Sequence, residues 1–177
     1  MHAHEAAARR RQGARIAGAA RIVAIDLNEA KRATAAKSGA THSCDPAVED
    51  PIAFVQGLTE GRGADFVFEV VGHPKLQRQA VEMTRPGGRC CWVGVPDIMD
   101  EAAVPAGLIP LQNKAILGTI YGSSNVREDF VKFINFAKRG ELDLAGMVSR
   151  RIRIGDINEA FAEMTKGDSI RSVVIHD

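Results

Sequence analysis

Apolar positions fall into two textures along the chain. Over roughly residues 1 to 120 short continuous runs recur: "ARIVAID", "ADFVFEVVG", "RCCWVGVP" and "AILGTIYG". Runs of this length, rich in β-branched residues, are the pattern of strands buried on both faces. "ATHSCD" reads as a shorter strand. Between them lie stretches with helix punctuation. Asn28 is placed to cap "EAKRATAAKS" with Gly39 just beyond its end, Pro51 opens "PIAFVQGLTE", and "PKLQRQAVEMT" is stopped by "RPGG". Each strand follows a helix at crossover spacing, which predicts a parallel sheet with helices on both faces.

From residue 121 the texture changes. "NVREDFVKFINFAKRG" starts with Asn125 and Glu128 in a capping-box arrangement and sets Phe130, Phe133, Ile134 and Ala137 on one face. "DINEAFAEMTKG" repeats the design with Asp156 as cap, Glu159 three residues on, and Ile157, Ala160, Phe161 and Met164 as the stripe. Both stripes read as core packing. "MVSRRIRI" and "SIRSVVIHD" alternate enough to be strands with one solvated face. Two sections follow, residues 1–120 and 121–177. At the other end, residues 3–18 are rich in Ala and Arg and suit a helix that Gly18 ends.

Composition narrows the class. The 177 residues are 45% hydrophobic and 25% charged with a formal net charge of +1, a globular balance with no field to recruit nucleic acid or an anionic membrane. No run approaches the roughly 18 residues of a membrane span, and "MHAHEAAARRR" has no apolar signal core, so a cytoplasmic protein is expected. Cys44, Cys90 and Cys91 lack chelating spacing; neighbours in a strand point to opposite faces, and all three read as reduced thiols. His2, His4, His42, His73 and His176 form no ligand set, and there is no serine elbow, no H-E-x-x-H and no paired carboxylate. No catalytic and no metal-ligating residue is assigned.

One acid stands out. In doubly wound sheets that bind dinucleotides, a Gly-rich turn follows the first strand, and an acidic residue ending the second receives the adenosine ribose. Asp26 ends "ARIVAID", where that acid belongs, and its charge favours NAD over a 2′-phosphorylated coenzyme. A strand-end Asp in a solvated turn accounts for it as well. The fingerprint G-x-G-x-x-G is missing: Gly13 and Gly18 fall inside a helical stretch, and "MHAHEAAARR" has no β-branched residue from which to make a buried strand.

From about Gln12 to the end the chain resembles the coenzyme-binding half of the medium-chain, zinc-dependent alcohol dehydrogenases. The blocks that carry the likeness are "QGARIAGAARIVAIDLNEAK", "GADFVFEVVG", "RPGGRCCWVGVP", "GTIYG" and "INEAFAEMTKGDSIRSVVI", in family order and at family spacing. The resemblance implies a Rossmann-like doubly wound sheet, here without its first central strand, followed by a C-terminal α/β segment that packs on the family's catalytic domain. It also implies hydride transfer between a small alcohol or aldehyde and NAD, with zinc polarising the oxygen.

Position by position, Asp26 matches the ribose acid and Lys31 a lysine on the same ribose. Val70, Val71 and Gly72 match the strand end beside the two riboses. Val93, Gly94 and Val95 match the segment that meets the nicotinamide carboxamide, Ile120 and Tyr121 the strand end near that amide, and Arg171 the arginine that pairs the pyrophosphate. Each also has a plain reading, as core or surface.

The family's zinc ligands, proton relay and Gly-rich turn have no counterpart here, so the chain is expected to be a C-terminal portion that does not oxidise alcohols alone. A dimer or higher oligomer through the strand at 115–121 follows from the likeness, and so does the alternative of a non-catalytic nucleotide-binding or dimerisation module. In strand order 3-2-1-4-5-6 the absent strand is central, so "ARIVAID" and "ADFVFEVV" are each left with an unpaired apolar edge, and the two halves are expected either to pair directly or not to fold.

Overall fold

The computed structural model describes residues 11–166 and 171–176. Helix α1 (11–16) leads to β1 (Val23–Ile25), α2 (Glu29–Lys37), β2 (His42–Cys44), α3 (Pro51–Leu58), β3 (Ala64–Glu69), α4 (Pro74–Met83) and β4 (Thr84–Trp92). Then come α5 (Leu108–Leu111), β5 (Ala115–Gly118), α6 (Val126–Lys138), β6 (Arg150–Ile152), α7 (Ile157–Lys166) and β7 (Ser172–Val174). The chain forms two compact units. One is Ala20–Ser124; the other joins the described residues up to Ala19 with those from Asn125 on.

Local chemistry sets the helix starts in the first unit. Asn28 accepts a hydrogen bond from Lys31 N–H (3.2 Å), Asp50 from Ala53 N–H (2.9 Å) ahead of Pro51, and His73 Nδ1 from Lys75 N–H (3.2 Å) ahead of Pro74. Gly39, at φ +103°, turns the chain out of α2. The strands these helices connect are parallel: β1 with β2 in register Val23↔His42 to Ile25↔Cys44, and β3 with β4 and β4 with β5 in a second sheet.

The two sheets share one core. Val55, Ala80, Val81, Met83 and Cys90 are buried together, and Val23 and Ile25 of β1, Val67 of β3 and Ile116 of β5 pack on them. Burying Val55, Val81 and Met83 there stabilises the fold by about 1.5–3 kcal/mol each. Among the described residues β1 and β3 do not pair. Direct closure of the gap, one of the two sequence expectations, does not occur.

Other expectations need correction as well. The strand "ADFVFEVVG" is not buried on both faces. Val67 packs inward, but Phe66 and Phe68 are 61% and 46% exposed, and the cross-strand row Phe68–Cys91–Leu117 forms an open face. "RPGG" does not end before the strand. It lies within β4, where the register slips between Ala64↔Thr84 and Phe66↔Arg89, and Gly87, at φ +71°, donates its N–H to Gln112 O (2.8 Å). The Arg85–Asp65 ion pair (2.6 Å) spans this irregularity and holds the Asp65 carboxyl below its ordinary range.

The strand "AILGTIYG" stops at Gly118, because Tyr121, Gly122 and Ser123 all take positive φ in a tight turn. In the second unit the α6 stripe is not core. Phe130, Phe133 and Ile134 are all about half exposed or more, and Asp129, not Glu128, accepts from Asn125 N–H (2.9 Å).

Elsewhere in the second unit, Gln12 reaches the 143 position in both directions, accepting from Asp143 N–H (2.8 Å) and donating to its carbonyl (3.3 Å). β6 and β7 pair in parallel, with Ile152 buried beneath them. Along α7, Ala160 is buried while Phe161 is exposed, and the Asp156 carboxylate turns back to Arg153 N–H (3.2 Å). The helix expected over residues 3–18 is described from 11, with Gly18 (φ +79°) beyond its end; residues 3–10 lie outside the described residues. No described helix is long and apolar enough to cross a membrane.

Candidate functional site

Turns at the C-terminal ends of the parallel strands hold most of the residues singled out from sequence. After β1, Asp26 is half-buried; its backbone N–H reaches Cys44 O (3.3 Å) and its Oδ1 accepts from Asn28 N–H (2.9 Å). Lys31 stands in the first turn of α2, half-buried. Arg32, which the sequence reading passed over, secures this corner. Its guanidinium donates to Asp26 O (2.7 Å) and Leu27 O (2.9 Å) and pairs with Asp45 (2.8 Å). The signal was available as an arginine six residues past the acid on the helix that follows it.

The turns after β3 and β4 meet backbone to backbone. Gly72 has φ +81°, and a Cβ there would lie 2.6 Å from Val95 backbone atoms; a Cβ on Gly94 would lie 2.0 Å from Gly72 N. Only glycine fits either position. Glu69, also unassigned from sequence, is 5% exposed beneath them and accepts hydrogen bonds from the N–H groups of Val71 and Gly72. Its trace in the sequence is a charge that closes the apolar run after Phe66, Val67 and Phe68, three residues before a glycine.

A cleft of about 580 Å³ opens beside these turns, lined by residues 92–96, by 118–120 and Ser123, and by Gln77, Asp100 and Ala102. Val93, Gly94, Val95 and Ile120 therefore line one cleft. Val71, Val95, Ile120 and Tyr121 expose apolar side chains in the same unit, and Val70 is half-buried. The cleft is large enough for a drug-sized ligand. Its lining is mostly backbone and apolar side chain, suited to holding a ring and an amide in place and poor in acid–base groups.

Arg171 belongs to the other unit, just before β7. Its N–H donates to Ser149 Oγ (3.3 Å) and its carbonyl accepts from Ser149 N–H (2.9 Å) and Arg150 N–H (3.2 Å). Cys44 and Cys90 are buried, which pushes both thiols from 9.0 up to about 11; Cys91 is half-buried on the opposite face of β4. Burial also lowers Lys114, whose ammonium donates to Val81 O (3.0 Å). Among the described residues no three His, Cys, Asp or Glu side chains gather to hold a metal ion.

Parallel strands, crossover helices and a cleft built from strand-end turns define a Rossmann-like α/β fold. The family model for zinc-binding dehydrogenases matches residues 11–139, and the chain belongs to that family. An S-(hydroxymethyl)glutathione dehydrogenase of Synechocystis is 37% identical over 166 residues, covering 92% of this chain and 44% of the relative. A geraniol dehydrogenase of Castellaniella defragrans is 33% identical over 166 residues, covering 92% and 43%. Benzyl alcohol dehydrogenase of Acinetobacter calcoaceticus superposes with a TM-score of 0.88 at 26% identity, covering 93% of this chain and 45% of that one. The chain thus spans a little under half the length of the relatives it matches.

Proposed function

We propose that this chain is the coenzyme-binding portion of an NAD-dependent alcohol dehydrogenase, whose substrates are small alcohols or aldehydes. One observation carries the reading: the Gly72–Gly94 contact beside the strand-end cleft, where two turns approach with no Cβ between them. Asp26 would accept from the adenosine ribose hydroxyls, with Lys31 alongside. Val70, Val71 and Gly72 would border the riboses, and Val93, Gly94, Val95, Ile120 and Tyr121 would seat the nicotinamide and its amide. Arg171 would meet the pyrophosphate. Bound there, NAD supplies the hydride acceptor; what these residues do is orient it and exclude water from one face.

None of the residues given a role here is a metal ligand, and their part in the reaction involves no metal. This chain by itself does not oxidise alcohols in our reading. We place it in the cytoplasm, in keeping with its free thiols, as a homodimer or higher oligomer; β5 is an edge strand of its sheet, which supports association there.

Titration with NADH tests the reading. Trp92, the one tryptophan, lines the cleft, so saturable quenching of its emission with energy transfer to the reduced nicotinamide is the expected result. No saturable quenching sinks the proposal, and zinc-dependent alcohol turnover by this polypeptide alone refutes its second clause.

A further inference from the structure

Glu69 links the two turns that meet at Gly72 and Gly94. Its carboxylate serves the turn after β3: Oε1 accepts from Val71 N–H (2.8 Å) and Gly72 N–H (2.9 Å), and Oε2 from Gly72 N–H (3.1 Å). Its backbone carbonyl serves the turn after β4, accepting from Val93 N–H (2.8 Å) and Gly94 N–H (3.1 Å). One residue therefore takes hydrogen bonds from four consecutive-pair amides on two crossover turns. At 5% exposure a carboxylate is costly to bury unless its oxygens are satisfied, and here backbone N–H groups satisfy them.

An apolar residue at this position would leave the Val71 and Gly72 amides without those acceptors. A glutamine would present an NH₂ group, which cannot accept, where Oε2 now faces Gly72 N–H. The carboxylate is thus matched to the turn in a way its amide is not. Because a Cβ's width does not separate Gly72 from Gly94, displacement of the first turn is transmitted to the second.

We propose that Glu69 is a positioning residue: its buried carboxylate fixes the turn after β3 and, through the Gly72–Gly94 contact, the turn at 93–95 that walls the cleft. This rests on the coenzyme reading above only for its consequence, that Glu69 sets the fit of the nicotinamide end, which both turns meet, more than that of the adenosine end, which only the first turn borders.

Glu69→Gln in the full chain tests it with two independent readouts. Amide hydrogen exchange is expected to show protection falling by about tenfold or more at Val71 and Gly72, and falling also at Val93 and Gly94, whose own acceptor the substitution leaves intact. Amides of α3 are expected to hold. NADH affinity is expected to fall about tenfold, and AMP affinity, which draws on the first turn but not on 93–95, by clearly less.

Unchanged protection at Val93 and Gly94 overturns the inference, since the carboxylate would then be a local cap. Unchanged NADH affinity in a wild type that binds it overturns the consequence. A wild type that binds no NADH refutes the coenzyme reading instead, and the exchange measurement still decides the link between the turns. If Glu69→Gln does not fold, Glu69→Asp, which keeps the charge and withdraws it by one methylene, carries the same readouts.

Discussion

Gly94 and Gly72 stand so close that a Cβ on Gly94 would meet the Gly72 nitrogen at 2.0 Å. That distance is inside any van der Waals contact, and the obstacle is backbone, which cannot rotate away. Gly94→Ala is therefore expected to cost about 3 kcal/mol, the upper end of ordinary overpacking, and to lower the thermal midpoint by roughly 10 °C. Gly118→Ala, in the lining of the same cleft with nothing within 4 Å of its Cβ, is the control. Equal melting of the two variants would refute the close approach.

Asp26→Asn separates charge from shape. The amide oxygen still accepts from Asn28 N–H, so the turn survives, but a 2′-phosphate no longer meets a carboxylate. The ratio of NADPH to NADH affinity is expected to rise by about tenfold, or ~1.4 kcal/mol. Fluorescence titration with both coenzymes measures it, and an unmoved ratio removes Asp26 from the site.

The buried thiols give a pH signature. Cys44 and Cys90 titrate at about 11 in the fold because burial disfavours the thiolate, against 9.0 without it. A raised folded value means full stability below 9, lost as pH climbs from 9 toward 11 while the unfolded chain ionises first. Denaturant midpoints are expected to fall across that window and to fall less in Cys44→Ala/Cys90→Ala. At pH 8 alkylation is expected to reach Cys91 well before the other two, by peptide mass mapping.

Phe66 and Phe68 are expected to be dispensable for stability. Both are about half exposed or more, so Phe66→Thr/Phe68→Thr should shift the unfolding free energy by under about 1 kcal/mol. Binding of an anilinonaphthalene dye, which reports open apolar surface, should drop. A loss of several kcal/mol would mean that this face is covered.

The elements were legible wherever a local rule decides them. Asn28, Pro51, Gly39 and the β-branched runs place α2, α3, β1 and β3 without reference to anything distant. What was not legible depended on partners. "RPGG" reads as a stop, and only pairing with β3 shows it to be a bulge inside a strand. Phe130, Phe133 and Ile134 have core spacing, but spacing cannot say whether anything lies against them. Of the candidate site, Asp26 is picked out by its place at a strand end and Gly94 by the resemblance to a family, whereas Glu69 and Arg32 act by holding turns in place. Their roles exist only in three dimensions.

The unpaired gap between β1 and β3 changes what a bound coenzyme would mean to this molecule. Asp26 rides on one sheet and residues 93–95 on the other, joined through side-chain packing but by no shared ladder. A dinucleotide held at both would act as a tie-rod between two separately hydrogen-bonded plates. Its binding would add cooperativity to unfolding as well as stability, merging two opening events into one.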